Sequence, residues 1–477
     1  MSTVIDTTVA SGFCCGCGVC AGVCPQQNLA MQLNEYGELN PVKISDCNIE
    51  CGLCLKVCPF IDRNDNEDAL GKKCFGEITD IKHRSETGYY LSSGVGAVSD
   101  ENRRMKSASG GLASWYLSEL LLRDIVDAVI CVGHANGERL FSFFIARSPE
   151  DVYSATGSAY YPVEISEMLH YIKNNPGRYA VIGLPCVLKG IRLAQKNLSW
   201  VRERMVMLVG LACSNLKSTR FVEYAAYKSG LQDKIAWCSC RSKSISLPSN
   251  FFQFHFVDVN DNNSEIKWGG GTELWNIYFS RALSLHSCDC CDDMHAELAD
   301  VTFMDAWLPE YNEEPRGTSI YISRDPITED VLQEGRYSHY LNITPISIEK
   351  VIQAQSSLFW KRNLLRYRLT LMYENGETCP KKRVDPSDGS ELNIISREIV
   401  HRCLRIQRES RVKYEDGCEK FGKWFAKCWS ERPFFAKCHY LAVTIPVRVY
   451  WMFEKYPAIQ RIMRYAKQQF SKIYQIQ

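Results

Sequence analysis

Cys14, Cys17, Cys20 and Cys24 are followed by Pro25, and Cys47, Cys51, Cys54 and Cys58 are followed by Pro59. The first run has the two-cluster ferredoxin spacing, in which three closely spaced thiolates cap one iron-sulfur cube and the fourth reaches the neighbouring cube. The chemistry of such a constellation is one-electron transfer. Cys17-Gly-Val-Cys20-Ala-Gly-Val-Cys24-Pro25 also matches Cys51-Gly-Leu-Cys54-Leu-Lys-Val-Cys58-Pro59, so the runs read as one duplicated loop and short helix. The duplication implies a crossed ligand set. Cys14, Cys17 and Cys20 share one cube with Cys58, and Cys47, Cys51 and Cys54 share the other with Cys24. The second run carries one additional residue between Cys47 and Cys51, and Cys15 is left spare.

Zinc also takes four cysteines, but zinc ribbons use pairs separated by a long spacer, unlike these two tight runs. Disulfides fit less well. No basic stretch followed by an apolar core opens the chain, so the thiols are expected to stay reduced in a cytoplasm.

A second group of residues lies downstream. Ser107-Ala-Ser109-Gly110-Gly111 leads into the amphipathic run Leu112 to Leu122, a helix start whose backbone N–H groups favour a phosphate, although many helices begin this way without any ligand. Val181-Ile-Gly183-Leu-Pro185-Cys186 and Gly210-Leu-Ala-Cys213 each end a strand, the place where α/β sheets gather ligands. Cys186 and Cys213 are therefore expected to face one another across the sheet crest. With Cys288 and Cys291 they make a four-thiol set for a third cluster, for a structural zinc helped by His286 or His295, or for buried thiols with no metal.

These residues need elements to position them. A chain of 477 residues with 45% hydrophobic content is long enough for two or three domains, and a net charge near +1 argues against a nucleic-acid partner. Residues 1–60 form the ferredoxin-type module, and 61–73, with its acidic Asp62 to Asp68 stretch, reads as a polar linker. In 74–345, apolar runs such as Ala128 to Val132, Tyr179 to Gly183 and Met205 to Leu211 alternate with helical stretches, which predicts an α/β body. Residues 346–394 form an extension containing the linker-like Pro380 to Pro386. Residues 395–477 form a basic, aromatic, helical tail with about ten more Lys and Arg than Asp and Glu. Such a tail suits either an anionic membrane surface or packing on its own protein, and Pro446 and Arg448 exclude a spanning helix.

The twin cysteine runs, Ser109-Gly110-Gly111, Gly157-Ser158-Ala-Tyr160, Gly183-Leu-Pro185-Cys186, Arg241-Ser-Lys243, Cys288 to Cys291 and Ala299-Asp300 to Asp305-Ala-Trp307 occur in this order. Together they resemble the family of coenzyme F-420 hydrogenase/dehydrogenase beta subunits over roughly Gly12 to Arg324. The resemblance implies an α+β ferredoxin-like two-cluster module, an α/β FAD-binding oxidoreductase domain and, outside the matched region, the helical tail. It implies two 4Fe-4S clusters and FAD, with Ser109, Gly110 and Gly111 cradling the FAD phosphates and Ser158, Tyr160 and Gly183 near the cofactor. Arg241 and Lys243 then hold anionic phosphate or substrate groups; solvated surface charge is their ordinary alternative.

Two functions follow from the resemblance. In the first, ferredoxin or another electron-transfer protein feeds the clusters, then FAD, then a small organic substrate; similar bacterial chains point to a sugar-linked one in polysaccharide biosynthesis. In the second, the chain is an electron-transfer subunit of a coenzyme F-420-type hydrogenase or dehydrogenase. The expected location is cytoplasmic, with peripheral contact at the inner membrane face through the tail. No proton donor stands out, since His83, His134 and His255 have no partner by spacing.

Overall fold

Each cysteine run closes on a short helix, Val19–Gly22 and Leu53–Lys56, in the computed structural model, which describes residues 2–47, 51–62, 65–135 and 137–431. The repeated glycine explains why. Gly18 (φ 77°) and Gly52 (φ 57°) cap these helices in the left-handed region, which a side chain disfavours. Between the helices, β1 (Leu29–Leu33) pairs antiparallel with β2 (Leu39–Lys43). The module is seated directly on the body. A Cβ at Gly18 would lie 2.3 Å from Glu164 Oε2 and 3.0 Å from the Ile165 nitrogen, and Ile165 N–H donates to the Cys17 carbonyl at 3.1 Å. Val19 and Val57 join Leu169, Leu188 and Ile191 in one core.

The expected polar linker is instead largely a helix, Glu67–Phe75, capped by Asn66, whose side chain accepts from Ala69 N–H. Glu67 is buried and paired with Lys189 at 3.0 Å, so this acidic stretch fastens the module to the helix Pro185–Asn197. The strands β3 (Lys82–Arg84) and β4 (Gly88–Tyr90) form a small hairpin ahead of the main sheet.

The body begins with β5 (Ser92–Val98), β6 (Ala128–His134), β7 (Phe141–Ala146), β8 (Tyr179–Gly183) and β9 (Met205–Leu211). A separate antiparallel sheet follows, made of β10 (Ile235–Ser242), β11 (Phe251–Asp258) and β12 (Asn263–Gly269). The chain then returns to the main sheet with β13 (Val301–Asp305), β14 (Ser319–Ser323) and β15 (Leu341–Pro345), giving the order β15-β5-β14-β13-β9-β8-β6-β7. Five of these strands, β5, β13, β9, β8 and β6, run in one direction. Helices cover both faces, which is why the parallel strands read as continuous apolar runs. Val181 points into the core with Leu188 and Ile191, whereas its neighbour Ala180 points into the opposite one with Leu112 and Trp115.

The extension 346–394 is structured and inward-facing. Helices Ile348–Gln353, Ser357–Lys361 and Leu365–Glu374 pack on the body, and the stretch read as a linker buries two side chains: Lys382 pairs with Asp292 at 2.9 Å and Arg383 with Glu297 at 2.7 Å. Two further helices, Ile394–Lys413 and Cys418–Ser430, bury Ile406, Tyr414, Phe421 and Phe425 against Phe221 and Tyr224. Arg411 reaches Glu38 of the module at 2.8 Å. The first half of the basic aromatic tail therefore packs on its own protein, because its aromatic face completes a core. The tail residues Phe434, Phe435, Tyr450, Trp451 and Phe453 lie outside the described residues. Among the described residues no helix is long and apolar enough to cross a membrane.

Candidate functional site

Cys14, Cys17 and Cys20 line one cavity with Cys58, which arrives from the second run; Val4, Cys15, Met31 and Pro41 complete much of its wall. Thr8 Oγ1 lies 3.4 Å from Cys58 Sγ, and Gly16 N–H donates to Cys14 Sγ at 3.4 Å. Burial pushes the thiols of Cys14 and Cys20 up, and the neighbouring sulfurs add to the effect. Buried thiols facing one another in an apolar pocket are costly as thiolates until a metal takes their charge, which is the donor chemistry an iron-sulfur cube needs. The second group gathers Cys54 with Cys51 and Cys24 as neighbours, while Cys47 is exposed at the edge of residues 48–50, outside the described set.

The downstream thiols are positioned by the sheet. Gly183 of β8 and Gly210 of β9 are register partners; three residues on, Cys186 lies in the first turn of the helix Pro185–Asn197 and Cys213 in the loop after β9. Cys288 sits on the tight turn His286–Asp289 and accepts from Leu216 N–H at 3.3 Å, while Cys213 N–H donates to the Met294 carbonyl at 3.0 Å. Cys186, Cys288 and Cys291 all act on the buried Cys213 thiol, which burial pushes up. Cys15, spare by spacing, makes side-chain contacts with both Cys17 and Cys186, joining the module's cavity to this set.

The two histidines proposed for a zinc are engaged elsewhere. His286 faces Glu377 at 2.9 Å and stacks on Phe13, and His295 Nδ1 bonds the Glu86 carbonyl at 2.9 Å. Among the described residues no three His, Cys, Asp or Glu side chains form a group sized for a single metal ion. A tetrahedral zinc site draws its sulfurs to about 2.3 Å from one point, a tighter gathering than a four-iron cube requires.

One residue at this set had no motif to announce it. Lys361, 2% exposed, donates to Cys291 Sγ at 3.1 Å and to the Asp293 carbonyl at 2.6 Å. Its only signal in the sequence is a lysine closing the apolar turn Leu358-Phe-Trp360.

The third cluster of candidate residues lies at the same carboxyl edge of the sheet. Gly111 (φ 84°) caps the helix Leu112–Leu122, Ser109 Oγ donates to the Thr318 carbonyl at 2.8 Å, and Gly110 N–H donates to Ser319 Oγ at 2.9 Å. With Gly110 so engaged, the donors suited to a phosphate are the first-turn N–H groups of the helix, which have no acceptor within it. Lys243 Nζ donates to the carbonyls of Arg104 and Ser109, each at 2.6 Å, and so fastens this turn to β10. Arg241 is 9% exposed; its guanidinium lies 4.0 Å over the Phe252 ring and pairs with Asp305. Neither cation is solvated surface charge.

Tyr160 packs edge-on against Trp268 and Tyr278, with centroids 5.1 and 5.6 Å apart, and burial pushes its phenol up to about 12. Arg241 bonds to it and pulls the other way. Ser158 is half-buried in the loop before it. Gly183 ends β8, four strand spacings or roughly 19 Å from β5, and the chain leads from it to Cys186. Tyr278 stands between the two sites, in ring contact with Tyr160 and with Cys213 among the groups that act on it. His83 packs edge-on against Tyr89 and His255 edge-on against Trp237, while His134 is tilted against Phe141 and Trp237.

The sequence is similar to those of known proteins. Two family profiles, for the N-terminal and the C-terminal portions of the "Coenzyme F420 hydrogenase/dehydrogenase, beta subunit", match residues 95–170 and residues 177–349 respectively. A component of the F(420)H(2) dehydrogenase of Methanosarcina mazei is 24% identical over 221 residues, covering 45% of this chain and 56% of that one. The coenzyme F420-dependent sulfite reductase of Methanocaldococcus jannaschii is 24% identical over 192 residues, covering 40% of this chain and 26% of that one. The matches thus span about half and about a quarter of those relatives' lengths. A chain of the F420-reducing [NiFe] hydrogenase complex from Methanosarcina barkeri aligns with a TM-score of 0.48 at 16% identity, over 63% of this chain and 99% of that one.

Proposed function

The chain belongs to the family of coenzyme F420 hydrogenase/dehydrogenase beta subunits, and we propose that it is an iron-sulfur flavoprotein exchanging electrons between a coenzyme F420-type deazaflavin and a protein partner. Bound clusters supply one-electron transfer, and a bound FAD converts single electrons into a hydride. Cys14, Cys17, Cys20 and Cys58 hold one 4Fe-4S cube, Cys47, Cys51, Cys54 and Cys24 the second, and Cys186, Cys213, Cys288 and Cys291 a third. Ser109 to Gly111 and the first turn of the following helix hold the FAD phosphates, with Tyr160 and Arg241 walling the site and Ser158 at its rim.

The observation that carries this reading is continuity. Cys15 touches a cysteine of the module and a cysteine of the body, and Tyr278 touches the aromatic site while neighbouring Cys213. These two residues support a path that runs from the module's thiols through the downstream set to the flavin site. Both relatives whose names state an activity are F420-linked, which favours the deazaflavin over the sugar-linked substrate expected from the sequence; neither name refers to polysaccharide. The protein partner is ferredoxin or another one-electron carrier.

Anaerobic purification tests the reading. The protein is expected to be brown, to contain about twelve irons per chain if all three sites fill, and to release FAD on denaturation. Reduced F420 should bleach the flavin and then the clusters, and Cys54→Ala should interrupt exchange with ferredoxin alone. Zinc without iron, or flavin that reduced F420 leaves oxidised, counts against it.

A further inference from the structure

Lys361 presents an unusual electrostatic problem. It is 2% exposed. Its hydrogen-bond partners are a sulfur, Cys291 Sγ at 3.1 Å, and a backbone carbonyl, Asp293 O at 2.6 Å. A buried ammonium needs negative charge close by; the Asp293 carboxylate acts on Lys361, and the side-chain atom that Lys361 hydrogen-bonds is the Cys291 sulfur.

The neighbouring cations are committed elsewhere. Arg281 donates to the Cys288 carbonyl at 3.1 Å, lies 3.8 Å from Asp289 and stands over the Trp360 ring. Arg368 donates to the carbonyls of Asp289 and Trp360. Only Lys361 among them reaches a sulfur.

We propose that Lys361 is a positioning residue that sets the reduction potential of the cluster held by Cys186, Cys213, Cys288 and Cys291, making this site the acceptor for electrons leaving the N-terminal module. The inference rests on the reading that these four cysteines hold a cluster. A four-thiolate cube is a net anion and becomes more so on reduction, so a fixed cation hydrogen-bonded to a ligand sulfur favours the reduced state. The step is a one-electron exchange. One electron leaves a reduced cube of the module, itself reduced by a one-electron carrier protein, and one arrives at the downstream set. No proton moves in this step. Cys15, in contact with Cys17 and Cys186, puts donor and acceptor side by side.

The test is a potentiometric titration of the anaerobic holoprotein followed by electron paramagnetic resonance, with iron counted in every sample. Lys361→Met should shift the downstream midpoint to a more negative potential and leave the two module signals in place. Lys361→Arg, which keeps the charge, should stay near wild type. Loss of the downstream iron in Lys361→Met with retention in Lys361→Arg supports the same charge requirement. An unshifted midpoint with iron intact, an equal shift in Lys361→Arg, or loss of the iron in both variants overturns the proposal. Wild-type protein with about eight irons instead of twelve removes the third cluster itself, and this inference with it.

Discussion

Arg241 and Asp305 meet in a two-bond ion pair, Nη1 to Oδ2 at 2.9 Å and Nη2 to Oδ1 at 3.1 Å, and lock the small sheet onto the end of β13. The planar guanidinium suits this fork, and a lysine does not reproduce it. Removing Arg241 leaves a largely buried carboxylate without its partner, at a cost on the order of 3 kcal/mol. Arg241→Met should therefore lower the urea midpoint and the FAD retained after gel filtration. Arg241→Met with Asp305→Leu should recover stability without recovering flavin. Full flavin occupancy in the double variant would show that the pair only braces the fold.

Much of the site was legible because its signals are local. The cysteine runs are read by spacing, and the facing of Cys186 and Cys213 follows once Gly183 and Gly210 end adjacent parallel strands. What the sequence hid are contacts between distant segments. Arg241 looks like surface charge until Asp305, on another sheet, is placed against it. Lys382 and Arg383 look like a linker because their acidic partner Asp292 lies far back along the chain. Cys15 looks spare because Cys186 is far along the chain. The tail's aromatic residues also carry no mark of direction: Phe421 and Phe425 turn inward because Phe221 and Tyr224 offer a core to complete.

The crossed ligand set makes paired predictions. Cys58→Ser should remove the cube shared with Cys14, Cys17 and Cys20, and Cys24→Ser the one shared with Cys51 and Cys54. Each variant is expected to lose about four irons, with a different resonance signal surviving in each. Loss of the same signal from both would show that the runs do not exchange their fourth ligands.

Gly110 is a test of the phosphate turn. An added Cβ would lie 2.6 Å from the Gly96 carbonyl oxygen and 2.7 Å from the Ser319 nitrogen, both backbone atoms that cannot swing aside as a side chain does. Gly110→Ala should push the turn off β5 and break the Gly110 N–H bond to Ser319. FAD release should rise severalfold, while the iron of the N-terminal module, on the other side of the body, stays in place. Flavin affinity equal to wild type would remove this turn from the binding site.

His295 gives the fold an acid-sensitive point that is independent of redox chemistry. It is fully buried, and since the Glu86 carbonyl at 2.9 Å only accepts, Nδ1 carries the proton; Nε2 has no partner among the described residues. Burial lowers its pKa from 6.5 to about 4. The folded state thus keeps it neutral while the unfolded chain takes up a proton below about 6.5. Between pH 6.5 and 4 the unfolded state binds more protons, so stability falls on acidification through that window, by about 2 kcal/mol between pH 7 and 5. In His295→Asn, whose amide can still donate to the Glu86 carbonyl, that part of the slope should vanish. Urea unfolding of both proteins at pH 7, 6 and 5 measures the difference, and parallel slopes would assign the acid sensitivity to another group.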